Sequence, residues 1–275
     1  MNNKKIELEE VKKIELDLLI SFDEVCKQEN LRYSLTGGTL IGAVRHKGFI
    51  PWDDDIDVCM PRKDYNLFIE YCKENTTFFG LCCSETDKEY GKTFAKCFDK
   101  RTILNEYNCN RWNCNLGIYI DVFPIDGMGN TYEESIRRYN KKQFLREIIV
   151  ASAWKKYFRS STKSIIYEPI RLLFFIISRC MNHNKCIQKF TDFYSQMSCD
   201  DVKYSSNVSG AYRKKEICES SIFTEYSICE FEGHFFNCFK EWDKFLTHIY
   251  GDYMKLPPIE KQISHHNFDA YWKYE

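Results

Sequence analysis

The sequence has no excess of either charge: 39 Lys and Arg stand against 40 Asp and Glu, for a net charge of −1. A near-neutral chain has no global field to hold nucleic acid or an acidic polymer non-specifically, so recognition has to be local and no nucleic-acid partner is expected. Long apolar runs are missing too, and no stretch reaches the ~18–20 apolar residues that span a bilayer. The nearest, Ile165 to Cys180, is interrupted or flanked by Glu168, Pro169, Arg171 and Arg179. It reads as a buried helix; the alternative is a helix lying in a membrane interface, which would make a peripheral membrane contact. Met1 to Glu10 is polar and charged, not an apolar signal segment, so a cytoplasmic location and mostly reduced, buried thiols are expected for the fourteen Cys. Cys82, Cys83, Cys109 and Cys114 lack the paired C-x2-C spacing, so a zinc site there would be without its usual signature. Internal repeats and low-complexity linkers are absent, and 275 residues are read as one domain.

What is present is a mixture of periods. Apolar residues at Ile6, Val11, Ile14, Leu18 and Val25 predict an amphipathic helix over 5–29. A short strand, Leu31 to Leu35, then runs into Thr36-Gly37-Gly38-Thr39, and Leu40 to Arg45 starts another helix. Asp55 to Met60 alternates acid and apolar residues as a half-buried strand does; Pro61 ends it before a helix from Lys63 to Glu74. Further strands are expected near Phe78–Cys83, Thr93–Phe98 and Gly117–Phe123. Tyr132 to Met197 turns almost wholly helical, read as an insertion over 131–200, before strand-like pieces at 221–233 and a last helix near 239–250. The class is α+β.

The run Trp52-Asp53-Asp54-Asp55-Ile56-Asp57-Val58 carries the chemistry. Strand alternation sends Asp55 and Asp57 to one face, puts Asp53 on the same side at the strand entrance and turns Asp54 away. Two converging carboxylates repel unless a cation joins them, and hard oxygen ligands favour Mg2+, with Mn2+ possible. Upstream, Gly37-Gly38-Thr39 lets backbone N–H groups at a helix start approach an anion, so a phosphate turn precedes a metal strand. Together they describe a site for a nucleotide or activated phosphate. A third carboxylate is expected: Asp121, polar within the apolar pattern Gly117 to Phe123, comes first and Asp126 second.

The block Tyr33 to Val58, with Leu35-Thr36-Gly37-Gly38-Thr39-Leu40 and Pro51-Trp52-Asp53-Asp54-Asp55-Ile56-Asp57-Val58, resembles the opening block of the LicD family, which also holds the fukutin-related proteins. Ile120-Asp121-Val122-Phe123-Pro124-Ile125-Asp126 and Tyr250-Gly251-Asp252-Tyr253-Met254-Lys255-Leu256-Pro257-Pro258, followed by His265 or His266, continue the match in order. The resemblance implies a nucleotidyltransferase-like mixed sheet flanked by helices. It also implies transfer of a phospho-alcohol from a CDP-linked donor, CDP-choline first, to a glycan or lipid-linked glycan such as lipopolysaccharide, teichoic acid or capsular polysaccharide. CDP-ribitol, CDP-glycerol and CDP-ethanolamine are the alternative donors; transfer of the nucleotide itself and a non-catalytic phosphoglycan-binding module are the rival readings. On this reading Asp55, Asp57 and Asp121 are catalytic and hold metal with Asp53, and Asp121 is favoured as the base. Gly37, Gly38 and Thr39 contact phosphate, with Arg45, His46, Lys47 and Lys96 as nearby cations. Trp52 stacks on the base or packs beneath the turn, and His265 and His266 close over the site. Residues 131–200 carry none of the motifs, so acceptor choice is expected there.

Overall fold

The computed structural model describes residues 4–107, 111, 116–160, 164–263 and 268–273. The chain opens with β1 (Lys5–Ile6) and the long helix α1 (Leu8–Gln28), whose Val11, Ile14, Leu18, Leu19, Phe22 and Cys26 recur at three and four residues and are buried. β2 is only Ser34–Leu35, shorter than the expected strand, because the chain turns at Thr36 into α2 (Gly37–His46). β3 (Asp57–Pro61) leads directly into α3 (Arg62–Glu74). β4 (Gly80–Cys82), β5 (Ala95–Phe98), β6 (Thr102–Glu106) and the eleven-residue β7 (Tyr119–Gly129) follow.

Four helices come next: α4 (Tyr132–Asn140), α5 (Gln143–Ser152), α6 (Glu168–Cys180) and α7 (His183–Tyr194). The chain closes with β8 (Tyr204–Ser206), β9 (Ile217–Glu219), the hairpin β10 (Tyr226–Phe231) and β11 (His234–Phe239), α8 (Trp242–Tyr250) and β12 (Phe268–Trp272).

The main sheet runs β2-β3-β7-β5-β4, with β8 paired along the far half of β7 and β9 paired to β8. β3 and β7 pair in parallel, while β2–β3, β7–β5 and β5–β4 are antiparallel. The fold is therefore α+β with a mixed sheet. β1, β12 and β6 make a separate three-stranded sheet. α1, α2 and α3 pack with the main sheet around one large core that includes Phe22, Tyr33, Val58, Phe68, Val122 and Phe239. A second cluster, with Tyr139, Ile148, Ile149, Ile187, Phe190 and Tyr194, joins the helical segment to Met128, Val208 and Ile217.

Two expectations are corrected. The acidic strand begins at Asp57, not Asp55: residues 53–56 form irregular chain leaving the turn at Pro51 and Trp52. α6 is not a buried helix either. Ser178 is its one buried residue, because α5 and α7 cover only one of its faces.

Candidate active site

Three adjacent strands set one row of side chains across the sheet. In register, Asp57 of β3 lies beside Asp121 of β7, which lies opposite Lys96 of β5. Along β7, Ile120, Val122 and Pro124 are buried while Tyr119, Asp121 and Phe123 stay half-exposed, so Asp121 shares a face with Tyr119 and Phe123. Lys96 is buried, 2.5 Å from Asp121 Oδ1, with its ammonium 3.2 Å from the Tyr119 ring centroid. The predicted cation is thus an internal partner of the predicted third carboxylate, cushioned on an aromatic face.

The glycine turn closes the other end of the row. Thr39 Oγ1 accepts the Asp57 N–H at 2.8 Å and the Thr36 N–H donates to the Asp57 carbonyl at 3.0 Å, which fixes the start of β3 against the start of α2. A Cβ on Gly38 would lie 2.2 Å from Asp53 Oδ2, and one on Gly37 would lie 2.9 Å from Asp57 Oδ2. Gly37 also has φ +59°, which only glycine adopts without strain. The glycines therefore let two carboxylates rest on the N-terminus of α2, where the first N–H groups and the helix dipole favour negative charge.

Asp53, Asp54 and Asp55 each bring a carboxylate oxygen within 4.8 Å of the others. Asp54 belongs to this cluster and is buried, so its predicted turn away from the group is wrong; alternation does not govern residues that precede the strand. Lys12 and Lys96 offset this crowded charge only in part. Loss of water raises Asp53, and the charge of Asp54 adds to it. Asp55 presents its side chain to solvent, yet the surrounding protein, with Asp53, Asp121 and Asp54, pushes its carboxyl up to about 8. Asp57 is driven well up by burial first, then by Asp55, Asp121 and Asp53.

Sequence reasoning missed one member. Glu15 of α1 is buried, its Oε2 has no hydrogen-bond partner, and burial followed by the charges of Asp55, Asp54, Asp53 and Asp121 raises it strongly. An acid inside the apolar stripe Val11, Ile14, Leu18 was the visible signal. An orphaned buried carboxylate oxygen within the field of three clustered aspartates, all of hard oxygen chemistry, fits a divalent cation of the Mg2+ type.

The other candidates separate. Asp126 is fully buried and gripped by Arg62 at 2.7 and 2.8 Å, and its even position on β7 places it off the Asp121 face, so it is not the third ligand. Arg45, His46 and Lys47 stand at the far end of α2, ~12 Å of helix rise from Gly37. Arg45 there donates to the Tyr253 carbonyl at 2.5 Å and to His46 at 2.9 Å. Trp52 packs against the main core. His265 and His266, like Cys109 and Cys114 of the zinc proposal, lie outside the described residues.

Beyond Asp121 the same face opens into a cavity of about 330 Å³ between the sheet and α5. Phe94 and Phe123, with ring centroids 4.4 Å apart, form one wall, and Ile149, Ala153 and Trp154 the other. Among the described residues its charged lining is Lys92 and Arg146, with no carboxylate. The row thus runs from a glycine turn, through carboxylates, to an aromatic cavity that no motif marked.

A mixed sheet with an acidic row beside a glycine turn agrees with what the resemblance implies, the class of nucleotidyltransferase-like transferases. The profile of the LicD/FKTN/FKRP nucleotidyltransferase domain matches residues 30–160. The chain is 34% identical over 272 residues, 98% of its length and 99% of the relative's, to lipopolysaccharide cholinephosphotransferase LicD of Haemophilus influenzae. An uncharacterized protein of Rickettsia typhi is 39% identical over 62 residues, 22% of this chain and 20% of its own. One of Rickettsia prowazekii is 46% identical over 41 residues, 15% of each. The chain belongs to the LicD family and is an enzyme of the LicD transferase type.

Proposed function

We propose that the chain transfers phosphocholine from CDP-choline to a hydroxyl of a cell-surface glycan, lipopolysaccharide before teichoic acid or capsular polysaccharide, on the cytoplasmic side of the membrane. The observation that carries this reading is the continuous row from the glycine turn to the aromatic cavity, in a chain that matches a lipopolysaccharide cholinephosphotransferase from end to end. The acceptor oxygen bonds to the phosphorus bearing choline, the bond from that phosphorus to the oxygen of CMP breaks, and the hydroxyl proton passes to a carboxylate. Mg2+, or Mn2+ in its place, held by Asp53, Asp55 and Asp57 with Asp121 beside them, would supply positive charge against the donor phosphates. Gly37, Gly38 and Thr39 place N–H groups at the phosphate end. Lys96 holds Asp121 in one orientation between the carboxylates and the cavity, where it meets the acceptor hydroxyl.

The cavity suits the acceptor. Flat faces of Phe94, Phe123 and Trp154 stack on the C–H face of a sugar ring, whereas Lys92 and Arg146 repel a quaternary ammonium. The test is CMP release from CDP-choline with Mg2+ and lipopolysaccharide, run beside CDP-ribitol, CDP-glycerol and CDP-ethanolamine. Release from CDP-choline that disappears in Asp57→Asn is expected. Brisk release from another donor alone reassigns the alcohol, and pyrophosphate in place of CMP moves the reaction to nucleotidyl transfer.

A further inference from the structure

α6 and the turn before it expose what a folded chain usually hides. Ile166 is 73%, Ile170 54%, Leu173 55% and Ile176 53% exposed, with Ile165, Tyr167 and Leu172 open beside them. Steps of three and four residues put Ile166, Ile170 and Leu173 on one stripe and Ile165, Leu172 and Ile176 on the next, so the surface is continuous along the helix. The opposite face is the one that packs. Phe174 meets Phe144 at 5.5 Å, Phe175 stacks on Trp154 at 6.3 Å, and Ser178 is buried. α6 is therefore anchored on the protein side and leaves its outer face apolar.

The surrounding charge indicates what covers that face. Residues 141–189 hold eleven Lys and Arg against two Glu, in a chain that is net −1 overall. Both acids are engaged: Glu168 accepts from Arg171 at 2.8 Å, and Glu147 pairs with Arg213 at 2.7 Å. Lys141, Lys156, Arg159, Lys185 and Lys189 are exposed. An apolar helix face carried on a segment with this basic excess is the pattern of a helix lying in the headgroup region of an anionic bilayer. No described helix is long and apolar enough to cross a membrane.

We propose that α6 and the turn over Ile165–Tyr167 dock this enzyme on an anionic lipid surface, with the outer face of the helix inserted among the acyl chains and the basic residues on the headgroups. Trp154, which stacks on the inner face of α6, also lines the cavity beside Asp121. Docking through α6 thus brings the cavity towards the bilayer, where a lipid-linked glycan presents its sugars. The docking itself does not depend on which donor or acceptor the enzyme uses.

The experiment is co-sedimentation of the full chain with vesicles of phosphatidylglycerol and phosphatidylethanolamine, and with vesicles of phosphatidylcholine alone. Wild type is expected to sediment with the anionic vesicles and to bind the neutral ones far less, with added salt weakening the interaction. Ile170→Glu with Leu173→Glu is expected to lower affinity about tenfold or more. Lys156→Glu with Arg159→Glu lowers it only on anionic vesicles, and circular dichroism shows both variants folded. Wild type that stays in the supernatant, or an Ile170/Leu173 variant that sediments as wild type does, overturns the proposal. So does a wild-type dimer that the same variant turns into a monomer, because a second copy then covers the face.

Discussion

The acidic row and α6 break the usual rules of folding in opposite ways. At the row the chain crowds more negative charge than Lys96 matches: Glu15 keeps an unpartnered oxygen, and Asp53, Asp55 and Asp57 stand so close that their carboxyls rise. At α6 it exposes apolar side chains without covering them. One buried pair of the same chain shows the contrast. Arg62 and Asp126 are both buried and are joined by two hydrogen bonds, the arrangement that a buried charge needs. The two departures therefore mark surfaces completed by something other than the chain, a cation and phosphates in one case and lipid in the other.

The sharpest way to break this comparison is to remove one of the unmatched charges. Asp57→Asn keeps the shape of the side chain and the N–H bond to Thr39 but deletes the charge. Transfer activity is expected to fall on the order of a thousandfold or more. In EDTA the same variant is expected to melt higher than wild type, because a repelled carboxylate has been neutralised. A variant that loses activity and also melts lower would place Asp57 among the structural charges, with Asp126.

Next in size is the pH dependence of the metal-free protein. A carboxyl raised by folding keeps its proton in the folded chain at pH values where the unfolded chain has lost it, so the folded state binds more protons. Stability from Asp55 is then complete below its ordinary value of 3.8 and is lost as pH rises through about 8. In EDTA, Tm is expected to fall from pH 5 to pH 8, by an amount that solvent screening of the exposed Asp55 keeps small. Added Mg2+ should restore more at pH 8 than at pH 5. A flat profile in EDTA across this window would mean that the carboxylates are already compensated within the chain.

The sequence made the acid side of the comparison legible and, on the apolar side, put a buried helix ahead of an interfacial one, for physical reasons. Asp57, Asp121 and Lys96 fall on strands, where period two assigns the face, and β3, β7 and β5 set them in register. Asp54 was misjudged because period two was extended into residues that are not strand. Asp126 stood as the second choice after Asp121 because its partner, Arg62, comes 64 residues earlier and pairs with it only in the tertiary fold. The aromatic cavity draws Phe94, Phe123 and Trp154 from three distant segments, so no local pattern could show it. α6 was read as buried because apolar residues cover most of its circumference, and composition does not say how many neighbours a helix has.

The smallest expected effect tests that last point. Ile170→Ser with Leu173→Ser changes two large apolar residues that are each more than half exposed. If α6 has no protein neighbour on this side, little packing is lost and the two chains should unfold within ~0.5 kcal/mol of each other, about 1–2 °C in Tm. Ile187 on α7, buried in the second cluster, sets the contrast: Ile187→Ala should cost ~2–5 kcal/mol. A serine pair that costs as much as Ile187→Ala would mean that protein already covers this face in solution, and α6 would then be an ordinary packed helix.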